Sequence, residues 1–173
     1  MTRPSRISTP TSTQLDTAAW ITLLVFVASV QLSIAVSAIL LTVVLLLCVA
    51  QTIVAGKFPA VPSFFWPLVA YSAWTMVSVA YSPKPEVSLV ESKEVLLFLV
   101  VPVVFQLSRG SRATMLGTVL LTVGAITAVI GLVQYGILEY DNLGRRPLGS
   151  MGHYMTYSGL LMMVVCLAVS RIL

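Results

Sequence analysis

The chain has 173 residues, of which 58% are hydrophobic and only 9% charged, with a mean hydropathy of +0.98 and a formal net charge of +4. A soluble domain carries ~25% charged residues, so this chain lacks the polar surface to be one. Its basic residues are spread through the gaps between apolar stretches rather than gathered in a patch, which argues against nucleic-acid binding.

Five stretches, 18–54, 62–81, 95–108, 113–138 and 154–170, contain no Asp, Glu, Lys or Arg. A hydrocarbon core ~30 Å thick needs ~20 apolar residues as helix, since each residue rises ~1.5 Å. Backbone groups inside that core must be bonded within their own segment, so these stretches are predicted to be helices. The fold class expected is therefore all-α, a polytopic transmembrane helix bundle of about six spans.

In chain order, residues 1–17 are rich in Ser, Thr and Pro and read as a disordered cytoplasmic tail. Residues 18–173 then form one transmembrane helical domain. As one helix, 18–54 would measure ~55 Å, nearly twice the hydrocarbon thickness. Two helices joined by a tight turn near 31–37 fit better, because Gln31, Ser33 and Ser37 are the most polar residues there. A cleaved signal peptide, with Arg3 and Arg6 as its basic region, is the weaker reading because another apolar run follows its best cleavage site at Ala38.

The spans expected are 18–33, 37–54, 62–81, 94–108, 113–138 and 153–171. With the N-terminus in the cytoplasm, Arg3, Arg6, Lys57, Arg109, Arg112 and Arg171 lie inside, accompanied by Asp16 alone. Lys84, Lys93, Arg145 and Arg146 lie outside together with the other five acids, and the positive-inside rule favours this orientation. Cys48 and Cys166 both fall inside apolar spans and are expected to be buried free thiols.

Within the fifth span Gly117, Gly124 and Gly131 recur at every seventh position, a stripe that lets a second helix approach closely. A packing seam is the favoured reading over a substrate groove. In the loop 81–93, between the third and fourth spans, Pro83 and Pro85 stop the third helix, and Val87, Leu89 and Val90 resemble a short interfacial segment.

The loop 139–153 is the one place where residue types suggest chemistry. Arg145 and Arg146 are adjacent guanidiniums, each a planar fork of donors suited to a phosphate or diphosphate. Pro147 stiffens the turn, and Gly144, Gly149 and Gly152 let backbone N–H groups come near a ligand. The same pair would equally suit lipid head groups or an ion pair with Glu139 and Asp141. His153, the only histidine, reads as a helix start. The sequence implies neither a metal nor a nucleotide cofactor.

The stretch 66–106, with Tyr81-Ser82-Pro83-Lys84-Pro85-Glu86, Ser88-Leu89 and a charged helix start at 91–94, resembles the O-antigen ligase/polymerase family of membrane glycosyltransferases. The segment 145–159, with its arginine pair, glycines and small-polar helix start, is similar to the corresponding part of that family. The resemblance covers most of 18–173. It implies a multi-pass protein of the bacterial inner membrane that moves glycan from undecaprenyl diphosphate to lipid A–core or a related outer-face acceptor. It makes Arg145 and Arg146 candidates for binding the diphosphate lipid, and Tyr154 and Tyr157 candidates to border the glycan; the catalytic residue stays unknown.

The family's further arginines and catalytic histidine have no counterpart here, and His153 does not match that histidine. The chain is therefore expected to be an N-terminal portion, inactive by itself. The partners expected are the undecaprenyl-diphosphate-linked glycan, lipid A–core or another outer-face acceptor, and membrane lipids, with no nucleic acid. The alternative reading is a non-enzymatic helical membrane protein, a transporter subunit or packing partner, using the glycine stripe for docking.

Overall fold

The computed structural model describes residues 10–56, 61–138 and 154–173, and every regular element among them is helical. The all-α membrane bundle expected from composition is the fold observed. Three helices, Ile34–Ala55, Ser111–Gly136 and Met155–Ile172, are long and apolar enough to cross a membrane, and Thr13–Ser29 and Phe65–Ala80 are shorter apolar helices.

The first helix, α1 (Pro10–Ser29), starts inside the segment expected to be a disordered tail, which corrects that boundary for residues 10–17. Proline suits the first turn of a helix because its missing N–H would have no intrahelical partner there. The hydroxyls of Thr17 and Thr22 donate to the carbonyls of Thr13 and Ala18, at 3.0 and 2.8 Å. A Thr-rich sequence can thus enter an apolar layer with its hydroxyls satisfied.

A turn at Val30–Ser33 leads into α2 (Ile34–Ala55), so the long apolar stretch is a helical hairpin, as its length required. The turn is closed by the amides of Leu32 and Ser33, both donating to the Ser29 carbonyl at 2.9 Å. Gly56, at φ 59°, ends α2 in the left-handed conformation that glycine adopts without steric penalty.

Next comes α3 (Phe65–Ala80), stopped before the Pro83–Pro85 turn, and then α4 (Pro85–Glu91). The fourth expected span, 94–108, is not one α-helix. A 3-10 helix, Ser92–Leu99, runs into α5 (Val100–Leu107). Pro102 explains the break, since it offers no N–H to the carbonyl of Phe98 and its ring crowds that group. The tighter winding rises ~2.0 Å per residue, so 92–107 reaches ~28 Å, against ~24 Å as pure α-helix. The sixteen residues thereby come close to the bilayer thickness.

The chain closes with α6 (Ser111–Gly136) and α7 (Tyr154–Ile172). The core lies among α1, α2, α5 and α6, where Ala19, Leu23, Val44, Val103 and Leu107 are buried and Leu116 and Leu120 pack against them. On the periphery α3 leans on the 3-10 helix through Tyr71 and Phe98, whose rings meet edge to face at 6.0 Å. Exposed Ile39, Leu46, Trp66, Trp74, Met162 and Val165 would be a liability in water and are ordinary in lipid.

Both cysteines are free. Cys48 is buried as expected, whereas Cys166 is exposed on the outward face of α7 and corrects the reading of two buried thiols.

Candidate functional site

Hydrogen bonds between helices fix which ends of the bundle lie together. Asp16 and Arg112 form an ion pair at 2.7 Å, and the Arg112 guanidinium also lies 5.2 Å from the Trp20 ring centre. Arg171 donates to the Thr118 hydroxyl at 2.8 Å, so the end of α7 returns to the start of α6. Gln106 donates to Gln51 at 3.4 Å, which brings the end of α5 beside the end of α2. Arg109, Arg112 and Arg171 thus share one end of the bundle with Asp16, and Lys84, Glu86, Glu91, Lys93 and Glu94 belong to the other.

At mid-height the helices are held by a buried polar seam. Gln31, 2% exposed, points from the α1–α2 turn into α6, where its Nε2 donates to the Leu120 carbonyl at 3.0 Å. Its Oε1 accepts from the Thr127 hydroxyl at 3.3 Å. Thr127 is equally buried, and its hydroxyl also lies 3.0 Å from the Gly124 carbonyl.

The physical reason for this seam is depth. The rise along α6 from Arg112 to Thr127 is ~22 Å, and α6 continues ~14 Å beyond Thr127. The α1–α2 turn therefore sits inside the apolar layer, where water cannot satisfy a polar side chain and partners must come from a neighbouring helix.

The glycine stripe lies beside this seam rather than opposite it, since a Cβ at Gly124 would also come within 3.2 Å of Gln31 Oε1. A Cβ at Gly124 would come within 2.6 Å of Val164, and one at Gly131 within 2.9 Å of the Tyr157 ring. Tyr157 is buried, and its hydroxyl donates to the Thr127 carbonyl at 2.6 Å. The stripe is therefore a filled packing seam at two of its three glycines. Gly117, the third, faces open space.

These contacts locate the residues that the sequence singled out. Arg145 and Arg146 lie outside the described residues, together with Pro147, His153 and the rest of 139–153; of Tyr154 only the helical backbone is described. Tyr157 is the one candidate whose side chain is placed, and it faces α6 with its hydroxyl committed to a backbone carbonyl. What is described of the candidate loop is its two posts. The α6 post is closed by the amides of Ile137 and Leu138, which donate to Val133 at 3.0 and 3.2 Å.

Sequence reasoning marked Gln31 only as a turn residue and gave Thr127 no role. Both are polar residues in otherwise apolar stretches, a signal that asks for a partner. Arg171 was counted only as an inside charge. It stands at the edge of a groove of about 310 Å³ between α6 and α7, lined by Ala113, Thr114, Gly117, Leu167 and Ser170.

No protein-family model, no curated protein and no solved structure matches this chain.

Proposed function

We propose that residues 18–173 are the N-terminal helical part of an O-antigen ligase-like glycosyltransferase of the bacterial inner membrane, and that the loop 139–153 receives the diphosphate of an undecaprenyl-linked glycan. The observation that supports this is the adjacency of Arg145 and Arg146 between two helices tied by the Tyr157–Thr127 clasp. A loop whose posts are held together presents its charges with less entropy to lose on binding. In such an enzyme an acceptor hydroxyl of lipid A–core or a related glycan attacks the anomeric carbon, and the diphosphate lipid departs. Preorganised arginines stabilise the charge that builds on that leaving group.

Binding tests this reading in the chain itself. The purified protein in nanodiscs is expected to bind undecaprenyl diphosphate more tightly than the monophosphate. Hydrogen bonds to a charged group contribute ~1.5–3 kcal/mol, so Arg145→Ala and Arg146→Ala should each weaken binding about tenfold or more. Arg146→Lys keeps the charge without the fork and should recover part of the loss. Arg109→Ala, at the opposite end of the bundle, is the control. Wild-type binding by both outer alanine variants would leave the loop as a lipid anchor and favour the non-enzymatic reading.

Orientation is tested separately, with both termini proposed to be cytoplasmic. In a background lacking Cys48 and Cys166, Asn142→Cys should react with an impermeant maleimide added to intact spheroplasts. Reaction only after the membrane is permeabilised would reverse the topology.

A further inference from the structure

We infer that the groove between α6 and α7 at the Arg171 end holds an anionic phospholipid, with its phosphate on the Arg171 guanidinium and its first acyl carbons along Gly117. Three features converge there, independently of the loop 139–153.

The first is shape. Along the helix pair the seam is shut at Gly131 by Tyr157 and at Gly124 by Val164, while nothing lies within 4 Å of a Cβ at Gly117. The helices therefore part toward this end, leaving the groove of about 310 Å³ open on its flank. Its walls at Ala113, Gly117 and Leu167 are apolar, so they suit methylenes rather than a free ion.

The second is charge. Among the described residues Arg171 has no carboxylate partner, whereas Arg112 is neutralised by Asp16. A guanidinium carries five donors, and the bond to Thr118 uses one while fixing the group at the groove edge. The remaining donors match the acceptor-only oxygens of a phosphate diester.

The third is hydroxyl chemistry. Ser170 donates to the Leu167 carbonyl at 2.8 Å and Thr118 to the Thr114 carbonyl at 2.9 Å. Both hydroxyl protons are turned into their own helices, so Arg171 supplies the donors for an anion. A lipid also fits the position, because the guanidinium belongs at the level where α6 and α7 leave the apolar layer.

Native mass spectrometry from a mild detergent tests this, with phosphatidylglycerol and phosphatidylcholine of matched chains as probes. Wild type should retain phosphatidylglycerol in preference to phosphatidylcholine. Arg171→Gln should lower that retention about tenfold, as expected for losing a charge-assisted contact. Gly117→Leu fills the groove and keeps the arginine, and it should lower retention comparably. Because the site at Gly117 is open and its φ is ordinary, that variant is expected to fold, which the unfolding temperature checks. Arg109→Gln removes an equal charge from the same end and should leave retention unchanged.

Equal losses in Arg109→Gln and Arg171→Gln would mean general charge attraction and overturn the assignment. So would wild-type retention by Gly117→Leu, or displacement of the lipid by inorganic phosphate, which would make the groove a site for a free anion.

Discussion

Replacing Gly131 by leucine is expected to detach α7 from α6, and replacing it by alanine to weaken that pairing measurably. An added Cβ falls within 2.9 Å of the Tyr157 ring carbon that bears the hydroxyl. The ring cannot retreat without breaking its 2.6 Å bond to the Thr127 carbonyl. Overpacking of this kind typically costs ~1–3 kcal/mol, and leucine should exceed it because its further carbons also enter the ring's volume. Gly159→Ala on α7 is the counterpart, since nothing lies within 4 Å there. That change should be neutral or stabilising by ~0.5–1 kcal/mol, the ordinary helical preference for alanine.

A double-mutant cycle separates the clash from propensity. Tyr157→Ala clears the space, so Gly131→Ala should cost much less in that background than in wild type. Thermal unfolding in detergent, followed by tryptophan fluorescence, reads all four proteins. Additive effects of Gly131→Ala and Tyr157→Ala would show that the ring and the glycine do not meet.

What the sequence made legible is what one dimension can carry. The excess length of 18–54 demanded a hairpin, and the polar residue Gln31 marked its turn, because both are local properties. The spacing of Gly124 and Gly131 announced a close-packed face for the same reason.

Illegible were the partners. Gln31 meets Leu120 and Thr127, and Asp16 meets Arg112, across some ninety residues of chain that no periodicity encodes. The start of α1 was hidden by composition: the Pro, Thr and Ser of 10–13 read as a disordered tail, and the pairing of Asp16 with Arg112 is not written in them. Pro102 was visible, yet the 3-10 run of Ser92–Leu99 was not, because a proline marks where α-helical bonding breaks and not the winding that leads up to it. The arginine pair at 145–146 remains a reading of residue chemistry, resting on loop posts that the fold describes.

Gln31→Glu should be the most damaging single isosteric change in the described bundle. The substitution replaces Nε2–H by a second acceptor oxygen opposite the Leu120 carbonyl, so a 3.0 Å hydrogen bond becomes a repulsion. The new carboxylate would also stand at a site only 2% exposed, level with the Gly124–Thr127 turn of α6 and so ~18–22 Å along that helix from Arg112. Taking an ionised group out of water carries a desolvation penalty of several kcal/mol after relaxation. Gln31→Met separates this from shape, because it keeps most of the volume and removes both polar atoms. The Thr127 hydroxyl would still have the Gly124 carbonyl at 3.0 Å, so methionine should cost only ~0.5–1.5 kcal/mol for each hydrogen bond lost. The expected order of unfolding temperature is wild type, then methionine, then glutamate well below both. If glutamate were tolerated as well as methionine, the α1–α2 turn would have to be open to water, and the depth assigned to it along α6 would be wrong.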